Sequence, residues 1–147
     1  MLTQHQIKSQ ISHYLGIDYG KADVGLALAD EETKMTFVYK TIKNDKSFLQ
    51  ELAEIIEKEN VKTVVIGMPY YNIGYEADPV KSQGDNGARK LGKFLEENLK
   101  IEVQYQNEMF TTKMAQANLI EKHIKGIKRY DDGEAARIIL QEWLDRN

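Results

Sequence analysis

At 147 residues, 41% of them apolar and 29% charged, the chain is long enough for one domain with a real core and has an ordinary globular composition. It lacks cysteine, which excludes disulfides and thiolate metal sites. No apolar run approaches the roughly 18–20 residues of a membrane span. The net charge of −3 argues against a surface that grips nucleic acid all over, because phosphate contacts rely on Lys and Arg.

The opening segment, "MLTQHQIKSQIS", is polar and lacks the apolar h-region of a signal peptide. It reads as a flexible extension over residues 1–12, ahead of a single domain over 13–147, and a cytoplasmic location is expected. "HYLGIDYG" (His13 to Gly20) then reads as a strand with an acid inside it, and "VGLALAD" (Val24 to Asp30) as a second strand. "KMTFVYKTI" (Lys34 to Ile42) reads as a third. Short connections between the three predict an antiparallel meander.

The period then changes. In "KSFLQELAEIIEKEN", Phe48, Leu49, Leu52, Ala53, Ile55 and Ile56 fall on one helical face. "VKTVVIGMP" (Val61 to Pro69) is a β-branched run typical of a strand buried on both faces. Residues 70–87 carry Gly, Asn, Asp and Pro with little periodicity, and a second helix is predicted over about Ala88 to Leu99. The strand Ile101 to Glu108 follows. A third helix is predicted from Thr111 or Thr112, and a fourth from about Asp132 to Asp145. The order predicts an α/β domain whose mixed sheet has helices on both faces.

Three acids interrupt these patterns. Asp18 shares a face with Tyr14, Gly16 and Gly20, whose glycines leave room beside it. A buried lone carboxylate is costly unless paired, neutralised or bound to a metal, and an edge position open to water or a turn carboxylate is the alternative. Glu108 ends a strand, where crevices of open α/β sheets lie; in isolation it is an ordinary surface glutamate. Asp131, with Glu134 three residues on, fits a helix N-cap. Asp132 falls in the first helical turn and would face the sheet if that helix packs by Ala136, Ile139, Leu140 and Trp143. Taken together the acids suggest oxygen ligands for a hard divalent cation.

In this setting four blocks resemble the YqgF/RuvX family of the RNase H-like superfamily. They are "YLGIDYGKADVGLALAD", "VVIGMP", "NEMFTT" and "DDGEAARIILQEWLD", in the family's order and from about residue 14 to the end. The resemblance implies an RNase H-like fold, with a five-stranded mixed sheet built from a three-strand antiparallel meander plus parallel strands. It also implies a cluster of Asp18, Glu108 and Asp132 binding Mg²⁺ or Mn²⁺. Asp132, rather than Asp131, stands at the family's distance from the Ile138-Ile139-Leu140 run. The implied activity is metal-dependent hydrolysis of phosphodiester bonds in 5′-end maturation of 16S ribosomal RNA. Holliday junction resolution is the older assignment.

The departures concern basic residues. Ala22-Asp23 stands where the family has a Lys-Arg pair, Asn107 replaces an Asp, and Met109 replaces an Arg. Lys21, Lys113, Lys125, Lys128 and Arg129 are the candidates to hold substrate phosphates in their place; the bland reading of the basic segment is a solvated face. The longer loop after Pro69 carries Tyr70, Tyr71 and Tyr75, which could stack on unpaired bases; a flexible surface loop with incidental tyrosines is the alternative reading. Expected partners are structured RNA or branched DNA, with no membrane, for a monomer or homodimer. Two rivals stand beside this reading. One is a non-catalytic nucleic-acid-binding module. The other is an ATPase, because "GIDYGKADVGLAL" also resembles the phosphate-binding hairpin of sugar kinases and actin-like proteins.

Overall fold

A computed structural model describes residues 11–68, 86–107 and 131–147, and the elements are numbered over those residues. Strands β1 (His13–Tyr19), β2 (Asp23–Asp30) and β3 (Thr36–Lys43) come first, then helix α1 (Phe48–Lys58) and strand β4 (Val61–Met68). Helix α2 (Asn86–Asn98), strand β5 (Glu102–Asn107) and helix α3 (Asp132–Asp145) complete the described elements. The third predicted helix, most of the loop after Pro69 and residues 1–10 lie outside the described residues.

The five strands form one sheet in the order β3-β2-β1-β4-β5. β2 pairs antiparallel with β1 and β3, whereas β4 runs parallel to both β1 and β5. This is the meander-plus-parallel arrangement that the element order predicts. After β3 the chain crosses back to the far side of β1. The carboxyl end of β1 therefore sits at the point where the strand order reverses, which is where open α/β sheets place their crevices.

Strand alternation sends successive side chains to opposite faces. On one face Leu15, Ile17, Leu26 and Ile66 are fully buried against Leu52 of α1 and Leu95 of α2. On the other face Ala27, Ala29 and Val65 pack against Ala136, Ile139 and Leu140 of α3. The ring of Trp143 meets that of Tyr14 at 5.6 Å between centroids, tilted by 56°. Helices thus cover both faces, as expected.

Two local differences have physical causes. β3 begins at Thr36 rather than Lys34, because the Asp30 carboxylate accepts hydrogen bonds from the backbone N–H of Glu32 (2.6 Å) and Thr33 (3.2 Å). That winds residues 31–33 into a turn, from which Lys34 emerges with φ 57°. Leu49, predicted on the apolar face of α1, is 40% exposed, while Phe48, Leu52, Ile55 and Ile56 are buried.

Candidate active site

Asp18 lies one residue before the end of the central strand, flanked by β2 and β4, so it is not an edge residue. The face it shares with Gly16 is the α3 face: a Cβ at Gly16 would stand 2.7 Å from Leu140 Cβ and 2.8 Å from the Ala136 carbonyl oxygen. Opposite Asp18 on β2 is Gly25. A Cβ there would overlap the Asp132 carbonyl and come within 2.9 Å of Asp132 Cβ. The first turn of α3 therefore rests directly on the Asp18–Gly25 pair. Cross-strand Cβ positions are about 5 Å apart, so the Cβ atoms of Asp18 and Asp132 lie within about 8 Å of each other. Both acids are half-buried.

Asp131 is the N-cap of α3, in extended conformation, and its carboxylate accepts the Glu134 N–H at 2.7 Å. The predicted cap is present. The reciprocal half of a capping box is replaced, because the Glu134 carboxylate accepts from Arg137 Nε (2.9 Å) and Nη2 (2.6 Å). Arg137 also reaches Thr36 on β3, whose hydroxyl donates to Gln141 Oε1 at 2.9 Å. These bonds tie the first three turns of α3 to the meander and fix where Asp132 stands.

Glu108, the third acid, lies outside the described residues. The preceding part of β5 is held firmly: Gln106 is 3% exposed, donates to Glu142 of α3 at 3.3 Å, and accepts from Arg146. Asn107 pairs with Met68 at the end of β4. Among the described residues no group of three His, Cys, Asp or Glu side chains could hold a metal ion; two acids, Asp18 and Asp132, come together. Their oxygen donors at a strand end, with no thiolate in the chain, suit a hard divalent cation.

Of the basic candidates, Lys21 is exposed in the β1–β2 turn, and Lys113, Lys125, Lys128 and Arg129 lie outside the described residues. That turn is braced by Asn44, whose side-chain amide donates to the Gly20 carbonyl (2.7 Å) and whose N–H donates to the Ala22 carbonyl (2.9 Å). Asp23, where a basic residue is expected, faces Lys43 on β3 and pairs with it at 3.1 Å. The residues that sequence reasoning missed are Gly25, Gln106 and Arg146. Gly25 had a signal, since Gly25, Ala27 and Ala29 alternate along one face of β2. The tyrosines of the loop after Pro69 lie outside the described residues. No helix among the described residues is long and apolar enough to cross a membrane.

Comparisons with known proteins bear on the family and the fold. A family model described as "RuvX: Holliday junction resolvase" matches residues 12–146. A protein of Clostridium botulinum strain Alaska E43, named as a pre-16S rRNA nuclease, is 33% identical over 138 residues, covering 90% of this chain and 96% of its own. One of the same name from Malacoplasma penetrans is 30% identical over 135 residues, covering 90% and 94%. Among solved structures, RuvC of T. thermophilus in complex with a Holliday junction substrate superposes with a TM-score of 0.55 at 14% identity, over 92% of this chain and 95% of that one. The fowlpox virus resolvase, also solved with Holliday junction DNA, gives 0.52 at 14% identity, over 91% and 97%. These structures share the RNase H-like fold. With a family match that runs from the residue before β1 to the end of α3, this chain belongs to the RuvX family.

Proposed function

We propose that the chain is a divalent-metal-dependent nuclease that hydrolyses phosphodiester bonds in maturing the 5′ end of precursor 16S rRNA. The observation that carries this is the seating of Asp132 over the Asp18–Gly25 pair at the carboxyl end of the central strand. The names of its relatives supply the substrate class.

Asp18 and Asp132, joined by Glu108, are the residues that would hold the cation. A divalent cation there would supply Lewis acidity and a nucleophilic water at neutral pH. The chain's own part is placement. Pairing with Gly25 on β2 fixes Asp18 near the end of the central strand, and the Asp131 cap and Arg137 links fix Asp132. The amino end of α3 carries the positive end of the helix dipole, which favours an acidic side chain there. Glu108 follows in sequence directly after Asn107, the last residue of β5. Lys21, exposed in the β1–β2 turn, would attract a phosphate.

A second reading, cleavage of a four-way DNA junction, is favoured by the description of the matching family model. Symmetric resolution would need two copies related by a two-fold axis.

The test compares wild type with Asp18→Asn on a labelled precursor 16S leader and on a four-way DNA junction, each with Mg²⁺ or Mn²⁺. Cleavage of the leader by wild type alone, with Asp18→Asn lower by about 100-fold or more, is expected. Cleavage of the junction alone selects the second reading. Equal rates for both proteins would remove Asp18 from the site, and cleavage of neither substrate would favour a binding module.

A further inference from the structure

Behind the acids, on the opposite face of the sheet, a cavity of about 380 Å³ opens at the same end of β1. Its wall begins with Tyr19. That residue directly follows Asp18, and strand alternation turns its side chain to the α1–α2 face. Phe48, the first residue of α1, meets the Tyr19 ring edge-on at 6.0 Å and 67°. Phe94 of α2 also lines it, and Leu49 offers its exposed aliphatic side chain to the space. Gly87 makes the cavity possible: a Cβ there would come 2.5 Å from Tyr19 Cε1, so a larger residue would drive the ring out of place. Exposed Lys46, before α1, and exposed Lys90, on α2, stand at its rim. Among the described lining residues the one carboxylate, Asp45, accepts from the Ser47 N–H (3.0 Å) and hydroxyl (2.9 Å).

Aromatic walls flanked by cations suit a ligand with a flat apolar body and an anionic tail. A nucleotide has that form, because bases stack on aromatic side chains whatever their sequence, and Lys engages the phosphate. A core pocket for an aliphatic ligand would not need lysines on two separate elements at its mouth. Resting on the nuclease reading above, we propose that this cavity receives an unpaired nucleotide of the substrate strand, next to the bond presented to Asp18. A strand draped over the carboxyl rim of β1 meets the acids on one face and the aromatic cavity on the other. The site would therefore select structured substrates with a bulged or flipped nucleotide near the cleavage point over continuous duplex.

The test uses an RNA hairpin carrying one bulged 2-aminopurine and the same hairpin with that base paired, bound in Ca²⁺ and followed by fluorescence. Wild type is expected to quench the bulged base and to prefer the bulged hairpin by about tenfold, the scale of one base–aromatic stack. Phe94→Ala should weaken bulged binding by about tenfold. The exposed double variant Lys46→Glu/Lys90→Glu should weaken it and lower the salt slope by about 1.4, as for two phosphate contacts on a single strand. Equal affinity of wild type for both hairpins would overturn the proposal, as would unchanged quenching in the folded double variant. Cleavage that depends on Asp18 but ignores the bulge and these variants would overturn the cavity's role alone. Bulge-dependent quenching in a protein with no Asp18-dependent cleavage would support the cavity and overturn the nuclease reading.

Discussion

The two faces of the sheet are built on different principles. The α1–α2 face is filled with large aliphatic side chains, Leu15, Ile17, Leu26, Leu52, Ile66 and Leu95 among them, all fully buried. The α3 face is lined by Gly16, Gly25, Ala27 and Ala29, and a helix backbone lies almost on the strands. The first arrangement maximises apolar area removed from water, at about 25 cal/mol per Å². The second gives up such area at its acidic end and places a helix terminus within reach of a strand carboxylate. One face thus serves chiefly to stabilise, and the other to bring Asp132 to Asp18.

Substitutions at four positions would break or sharpen this contrast. The largest expected effect is that of Leu52→Ala on the aliphatic face, a loss of about 2–5 kcal/mol in denaturant melts, with the cleavage rate per folded molecule retained. A rate that fell with stability would mean the faces are not separable. Gly25→Ala comes next: its methyl must displace the Asp132 backbone, for about 1–3 kcal/mol, and here cleavage should fall in protein that is still folded. Retained cleavage would show that the close approach is mere packing. Asp131→Ala removes the cap of α3 and should cost about 1 kcal/mol, with a smaller drop in rate; Asp131→Ser should restore both.

The smallest effect concerns pH on the stabilising side. The Tyr39 hydroxyl, which donates to Glu59 at 2.9 Å, is pushed up to about 12, first by burial and then by that hydrogen bond. An unfolded tyrosine ionises near 10, so the folded state holds this proton more tightly. The resulting stability is complete below about pH 10 and is lost as pH rises through about 12. Melts across that range should show a decline that Tyr39→Phe makes shallower. An identical decline in the variant would place the alkaline sensitivity elsewhere.

Much of the fold was legible because its signals are local. The β-branched run of β4, the alternation of β1 and β2, and the Asp131 cap before Ala136, Ile139 and Leu140 each follow from neighbouring residues. The boundary of β3 was less clear, because its start depends on Asp30 drawing the following backbone into a turn. Leu49 was misjudged for a related reason: periodicity places it near the apolar stripe, but the stripe closes over Phe48, Leu52 and Ile56. Asp18 could be read as a carboxylate needing a partner, yet local sequence could not say which. Asp132 is more than a hundred positions away, and what joins them is an absent side chain at Gly25. Asp23 likewise looks like a lost contact until β3 brings Lys43 beside it.

The tilted contact of Trp143 with Tyr14 joins the end of α3 to the strand that bears Asp18. Trp143 is the chain's single tryptophan, so the protein carries its own optical gauge of whether that helix is docked. Tyrosine-to-tryptophan energy transfer at this separation should be strong in the native state. Its loss, with a red shift of indole emission, would report the lifting of α3 from the sheet without any added label.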